Sequence, residues 1–479
     1  MTAHVYLAAA HKSSGKTTVA IGLCAALKGR GLIVQPYKKG PDYIDPLWLS
    51  EASGRPCYNL DFHTMSVAEI TDCFTQAASG ADIAVIEGNK GLYDGVALDG
   101  SNSNAALVHQ LGTPVVLVID AKGITRGLAP LLIGYRQFDP SIQIAGVILN
   151  RVGGARHEAK LRAVVETYTD VRVLGAVWDS PALAMTERHL GLVPSGEHEG
   201  AAALIANLAS AINDHVDVDA ISVLGTELPP LPIWPAKAPV RRDVRIGIAR
   251  DRAFSFYYPG DLEAMRSAGA EIVAFDALND TQLPDIDGLF IGGGFPETQA
   301  QALSANTAMR SAIKAAIEDG LPTYAECGGL MYLARSLTWH DACHPMVGAI
   351  PGDILMQDKP VGHGYVVVRP TAAHPWPPGS VDPAAGLPAH EFHYSRLVNV
   401  DPEVGFAYDM ARGYGIDGKR DGVVYKNVLA SYAHLRDVQG CAWTGQFLDF
   451  VRQCRVQREA GAAVGRRQSK TEERDYHRL

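Results

Sequence analysis

Two short segments carry residue types that can do chemistry, and they lie far apart in the chain. The first is Ala10-His11-Lys12-Ser13-Ser14-Gly15-Lys16-Thr17-Thr18. Glycine, lysine and a hydroxyl in that order, between an apolar run and a helical pattern, form a phosphate-binding loop. Its backbone N–H groups point at phosphate oxygens, the lysine bridges terminal phosphates and the hydroxyl meets Mg²⁺. Ser14, Gly15, Lys16, Thr17 and Thr18 are therefore the expected nucleotide-binding residues. Ala10 stands where the pattern has its first glycine, at little cost if the backbone there keeps a negative φ. The competing reading is a serine-rich turn that contains Gly-Lys-Thr by chance, and the strand–loop–helix context argues against it.

Such a loop needs acids to hold the metal. Lys38-Lys39-Gly40-Pro41-Asp42-Tyr43-Ile44-Asp45-Pro46 offers two carboxylates in a rigid turn, and Ile83-Ala84-Val85-Ile86-Glu87-Gly88 ends an apolar run in a third. Ligands of open parallel sheets bind at the carboxyl ends of strands, which places Glu87 like a Walker-B acid. Asp94 follows in Gly91-Leu92-Tyr93-Asp94-Gly95. A lone loop acid is usually just solvated; four beside a phosphate loop point to a site. Thr17, Asp42 and Glu87 are the expected metal ligands.

The second segment is Tyr324-Ala325-Glu326-Cys327-Gly328-Gly329-Leu330. It reads as a sharp strand-to-helix turn that exposes a thiol at a helix N-terminus, which favours thiolate. The Gly328 N–H and that of Gly293 or Gly294, in Ile291-Gly292-Gly293-Gly294-Phe295-Pro296-Glu297, can form an oxyanion hole. His434 is the expected base, with His390 and His393 as competitors. A free cysteine is more often just buried; the Gly-Gly that follows Cys327 argues otherwise. Cys24, among apolar helical neighbours, reads as core, and the other five cysteines carry no signal.

These residues need a scaffold. With 479 residues, the chain has room for two or three domains of roughly 100–200 residues each. Runs at 5–10, 83–86, 114–119 and 144–149 read as strands, and 17–28 as a helix; the alternation predicts a parallel sheet with helices on both faces. Prolines crowd 228–239 and mark a linker. A fresh α/β pattern follows, with strands at 244–248, 271–275 and 288–291 and a helix at 259–268. The expected organisation is a domain with the phosphate loop (1–228), a linker (229–242), a second α/β domain with the cysteine elbow (243–454) and a charged, fraying tail (455–479). Net charge is −9 and pI about 6.0, so no general pull toward nucleic acid exists. Seven cysteines without a C-x-x-C pair fit a reducing, cytoplasmic setting. Neither a signal peptide nor an apolar stretch of the ~20 residues a membrane helix needs is read.

The chain resembles the cobyrinic (or hydrogenobyrinic) acid a,c-diamide synthases from about residue 4 to 450. Besides the segments above, Ile148-Leu149-Asn150-Arg151-Val152, Arg188-His189-Leu190-Gly191-Leu192 and Ala430-Ser431-Tyr432-Ala433-His434-Leu435 match in order. The resemblance implies an N-terminal dethiobiotin-synthetase-like parallel-sheet domain and a C-terminal class I glutamine amidotransferase (flavodoxin-like) domain. It implies ATP and Mg²⁺ as cofactors, with glutamine and a tetrapyrrole as substrates, and leaves a homodimer as a candidate assembly. It makes Cys327 the glutaminase nucleophile, activated by His434. Asn150 would read the adenine, while Asp45 and Asp94 would serve substrate and intermediate.

The departures are specific. Ser13 stands where the family loop commonly has glycine, and Asn89-Lys90 replaces an apolar pair after Glu87-Gly88. The 362–365 loop is unusual. Arg436 stands two residues after the histidine, where class I glutaminases with a full triad carry an acid. Asn89-Lys90 leans toward the sirohaem-amidating branch, with Lys90 as partner of a non-reacting macrocycle carboxylate. The competing class is a ParA/MinD-like switch ATPase. Its signature lysine, five residues before the loop lysine, is here His11, and it has no Cys-Gly-Gly half.

Overall fold

The structure, a computed structural model, describes residues 2–188, 191–226, 240–376 and 385–476, with side chains as far as 459 except at 187 and 188. The expected linker falls outside these as far as residue 239, as do His189 and Leu190 and the last three residues of the tail. The chain divides into two compact units, Met1–Lys237 and Ala238–Leu479.

In the first unit the strands are β1 (Ala3–Ala9), β2 (Val34–Lys39), β3 (Tyr58–Leu60), β4 (Ile83–Glu87), β5 (Val115–Asp120), β6 (Ile144–Val152) and β7 (Val173–Trp178). They form one sheet in the order β3-β2-β4-β1-β5-β6-β7, and every pairing is parallel. Helices cover its faces: α1 (Lys16–Gly29), α2 (Ile44–Ser53), α3 (Val67–Ala77), α4 (Asn104–Leu111), α5 (Leu128–Phe138), α6 (Ala155–Tyr168), α7 (Ala201–His215) and the short α8 (Val218–Ser222). Every residue of β1 and β4 is buried, so these strands read as unbroken apolar runs rather than alternating ones. α1 lays Val19, Ile21, Leu23 and Leu27 into the core shared with α7. Full burial of such a side chain contributes about 1.5–3 kcal/mol. A two-stranded hairpin, β8 (Glu187–Arg188) and β9 (Gly191–Leu192), stands apart from the sheet.

The second unit opens with β10 (Val244–Ala249), α9 (Pro259–Ser267), β11 (Ala270–Phe275), β12 (Gly288–Ile291), α10 (Ala300–Ala305), α11 (Thr307–Glu318), β13 (Thr323–Glu326) and α12 (Gly328–Leu333). Then come β14 (Ala334–Trp339), β15 (Ala342–Pro345), β16 (Ile350–Met356), β17 (Gly362–Pro370), β18 (Leu387–His393), β19 (Ser395–Val398), β20 (Gly405–Arg412), β21 (Arg420–Tyr425) and β22 (Val428–Ser431). Nine of these strands form a mixed sheet in the order β11-β10-β12-β13-β22-β21-β20-β17-β18. The part from β11 to β22 is parallel and the remainder antiparallel. Strands β15-β14-β16-β19 make a separate sheet.

The expected charged tail starts inside a helix. Helix α13 runs Trp443–Tyr476 and seals one face of the sheet with Phe447, Leu448 and Val451. Arg452 takes Asp243 with two bonds of 2.9 Å, and Arg458 donates to the Asp287 carbonyl at 3.1 Å. The sequence there lacks an aliphatic stripe; its arginines hold the helix to the sheet edge instead.

Candidate functional site

The phosphate loop joins β1 to α1, and its shape depends on one glycine. Gly15 has φ +76°, and a Cβ there would lie 2.0 Å from Asn150 Nδ2. Only glycine fits, because Asn150 comes up from the end of β6 to donate to the Ser14 carbonyl at 3.0 Å. Ala10 keeps a negative φ, whereas Ser13 sits at +66°, the left-handed region that favours the glycine other loops have. Ser14 Oγ donates to the His11 carbonyl at 2.8 Å.

Beneath the loop the carboxyl ends of β2 and β4 bring charges together. Thr17 Oγ1 donates to Glu87 Oε1 at 2.6 Å and to Asp45 Oδ2 at 3.2 Å. Lys16 Nζ lies 3.5 Å from Glu87 Oε1. Lys38 pairs with Asp45, reaches Glu87 Oε1 at 3.0 Å and lies 3.8 Å from Asp42. Burial works against the Lys38 charge, but Asp45 and Glu87 outweigh it and hold its pKa well above the ordinary value. For Lys16 burial wins over Glu87, and its pKa falls.

Asp45 shares Thr17 with Glu87, while Asp42 Oδ1 accepts the Ile44 and Asp45 N–H groups at 2.8 and 3.3 Å. The geometry thus groups Asp45, more closely than Asp42, with Thr17 and Glu87. Asp94 is exposed and accepts from Gly91 N–H at 2.9 Å, in a turn held to β1 by Leu92 N–H on the Ala9 carbonyl at 2.8 Å. Lys90 is exposed at φ +43°. Beside it Lys39, 5% exposed, donates to the Asn102 carbonyl at 2.8 Å and to Asn89 Oδ1 at 3.4 Å.

The residues fit a hard divalent cation. Glu87 Oε2 is buried with no hydrogen-bond partner among the described residues, beside the Thr17 hydroxyl and Asp45. Among the described residues no group of three His, Cys, Asp or Glu makes a ready cage. That suits Mg²⁺, which is bound through one or two carboxylates plus phosphate oxygens and water.

In the second unit β13 leads into Cys327 and β22 into the segment that carries His434. Their parallel register sets Ala325 beside Ala430 and Glu326 beside Ser431. Cys327 then turns at φ +47°, ψ −98°, a strained conformation for a residue with a Cβ, and caps α12. Its N–H is fixed by the Ser431 carbonyl at 2.7 Å. Strain of this kind at a thiol on a helix N-terminus is the geometry of a nucleophile elbow.

His434 faces Cys327, whose Sγ lies 3.8 Å from the Phe392 carbonyl, and its Nδ1 lies 3.2 Å from Glu326 Oε2. Burial favours the neutral ring, yet the bonds to Cys327 and Glu326 overcome it and raise the pKa to about 10. The competing histidines stand elsewhere. His390 stacks behind His434 with ring centres 4.8 Å apart, and His393 stacks on Tyr432 at 3.7 Å with Nδ1 on the Ser395 carbonyl at 2.9 Å. A Cβ on Gly293 would lie 2.7 Å from His434 Cε1, and one on Gly328 3.0 Å from the Gly294 nitrogen. The glycine turn and the elbow are therefore in direct contact, as paired N–H groups of an oxyanion hole require.

Two residues of these sites were not among the expected ones. Lys38 had a visible signal, a lysine at the end of a strand just before paired acids. Glu326 had none beyond its place next to Cys327.

A thiol paired with a histidine in one unit and a phosphate loop with acids in the other define an enzyme that takes nitrogen from glutamine and uses a nucleotide to make an amide. Sequence comparison agrees. Residues 6–192 match the CobQ/CobB/MinD/ParA nucleotide binding domain, and residues 245–437 match the CobB/CobQ-like glutamine amidotransferase domain. A cobyrinate a,c-diamide synthase of Magnetococcus marinus is 45% identical over 452 residues, covering 93% of this chain and 96% of its own. That of Methanosarcina acetivorans is 41% identical over 491 residues, covering 95% and 96%. The chain belongs to the cobyrinate a,c-diamide synthase family. Relatives matched across both units leave no place for the switch-ATPase reading. Among the described residues no helix is long and apolar enough to cross a membrane.

Proposed function

We propose that the chain converts the a and c acetate carboxylates of a tetrapyrrole into amides, with glutamine as nitrogen donor and ATP as energy source. The observation that carries this reading is His434 facing Cys327 with its Nδ1 3.2 Å from Glu326, in a chain that also holds a phosphate loop. The all-parallel sheet around that loop supports a dethiobiotin-synthetase-like first unit, and the β11-β10-β12-β13 order supports a flavodoxin-like second.

A carboxylate resists ammonia because oxide is its leaving group. Transfer of the ATP γ-phosphoryl to the acetate oxygen gives an acyl phosphate and ADP. Lys16 and the loop N–H groups hold the phosphates, and Asn150, which buttresses the loop, would read the adenine. Thr17, Asp45 and Glu87, with Asp42 nearby, would hold Mg²⁺, which when bound offsets charge on the transferring phosphoryl group. The Cys327 thiolate attacks the glutamine amide carbon; His434 gives its proton to the leaving ammonia, and water later releases glutamate from the thioester. The N–H groups of Gly328 and of Gly293 or Gly294 take the developing oxyanion. Ammonia then displaces phosphate from the acyl phosphate. Asp94, on the loop beside the β1 end, would serve the intermediate.

The relatives' names favour cobyrinate as acceptor. Lys39 and Lys90 beside Asn89 favour a second reading, sirohaem, through an extra carboxylate contact. The test is purified protein with glutamine, ATP and Mg²⁺ on cobyrinic acid, hydrogenobyrinic acid and sirohaem, read by mass spectrometry. Each acid-to-amide step exchanges OH for NH₂, so the product mass also counts the sites. No mass change on any of the three sinks the reading.

A further inference from the structure

The glutaminase has a complete set of reacting groups except one: the residue two places after His434 is Arg436, a cation placed over the Tyr258 ring at 5.1 Å. A histidine that serves a thiolate needs its other ring nitrogen held, so that the tautomer and ring plane are fixed. We infer that Glu326, the residue before the nucleophile, does this work as the positioning acid of a Cys327–His434–Glu326 triad.

Three observations carry the assignment. Glu326 is 3% exposed, and its Oε2 lies 3.2 Å from His434 Nδ1, leaving the remaining ring nitrogen for Cys327. Its Oε1 accepts from Tyr324 Oη at 2.8 Å and from the Leu435 N–H at 3.0 Å. Those two donors fix the carboxylate, so Oε2 has one direction to point. The Leu435 bond also ties the acid to the backbone directly after the histidine. Charge, orientation and burial together are what a triad acid supplies, from a chain position upstream of the nucleophile.

An amide in place of the carboxylate makes a sharp test. With Oε1 kept on Tyr324 and Leu435, Glu326→Gln turns its NH₂ toward Nδ1. His434 then accepts there and loses the tautomer that serves Cys327. Glutamine hydrolysis, read as glutamate formation, and alkylation of Cys327 by iodoacetamide, read by peptide mass spectrometry, need no acceptor. They therefore test this inference separately from the tetrapyrrole reading. Glu326→Gln is expected to lower glutamine hydrolysis by about 10²-fold or more and to slow Cys327 alkylation at neutral pH. Ammonia-dependent amidation stays within about twofold, which reports a folded protein. Glu326→Asp keeps the charge and restores part of the hydrolysis and the alkylation rate. If Glu326→Gln keeps wild-type hydrolysis, or if both variants lose hydrolysis equally with an unchanged alkylation profile, Glu326 only packs and the triad is wrong.

Discussion

The Lys38 ammonium lies 3.0 Å from Glu87 Oε1, deep in the nucleotide site, and also holds Asp45. It is the cation on which three carboxylates converge. Removing one partner of such a buried cluster leaves the others uncompensated, at a cost of about 3–5 kcal/mol. Lys38→Met is therefore expected to lower the denaturant midpoint sharply in metal-free buffer, with Mg²⁺·ATP restoring much of the loss. An unchanged midpoint means the acids are solvated separately.

Two sites in two units imply two separable losses. Cys327→Ala removes glutamine-dependent amidation and keeps turnover with added ammonia. Lys16→Ala and Glu87→Gln lose both, since either nitrogen donor needs the activated carboxylate. The check is one steady-state assay run with each donor. Normal ammonia-dependent turnover in Lys16→Ala removes the phosphate-loop assignment.

Gly293→Ala places a methyl 2.7 Å from His434 Cε1, so the ring must shift. A misplacement of about 1 Å costs on the order of 10²-fold in rate. Glutamine hydrolysis should fall by that order while ammonia-dependent turnover holds. Wild-type hydrolysis would place His434 outside the reaction.

His374 is buried and, among the described residues, meets only neutral groups: Nδ1 accepts the Trp376 N–H at 3.2 Å and Nε2 meets Tyr408 Oη at 3.1 Å. Burial lowers its pKa from 6.5 to about 4. The unfolded chain thus binds this proton first as pH falls. The stability contributed is complete above pH 6.5 and is lost toward pH 4, on the order of 3 kcal/mol. Urea midpoints at the two ends of that window, compared with His374→Phe, measure it; parallel midpoint shifts in both proteins count against it.

Lys90 and Lys39 bear on the choice of acceptor. If they meet a macrocycle carboxylate, Lys90→Met and Lys39→Met raise KM for the tetrapyrrole and leave KM for ATP nearly unchanged. An exposed contact such as that of Lys90 is worth about 1 kcal/mol or less, a desolvated one several. Lys39 therefore has the larger expected effect. A shift under about twofold in both returns them to the surface and to the loop anchor seen at Asn102.

The parallel strands were legible because burial on both faces makes them apolar throughout, as in β4 and β5. β2 was not, since the buried polar residues Gln35, Lys38 and Lys39 break the pattern, Gln35 holding the Pro56 carbonyl and Lys38 the acids of the site. β14 to β22 were largely silent: short antiparallel strands with one half-wet face leave only weak alternation. Cys327 could be read from its glycines and His434 from its motif. Glu326 could not, because its partner is 108 positions away and only the register of β13 on β22 brings them together.

That register has a further consequence. The nucleophile, the acid and the base are all fixed by two neighbouring strands whose alignment is set by backbone bonds. The long antiparallel excursion between them begins and ends at the same point of the sheet. One strand of that excursion is tied to the site: His390 of β18 pairs its backbone with His434 and stacks on its ring. Change is therefore tolerated in the parts of the excursion away from β18, whereas a slip of β18 would move the imidazole.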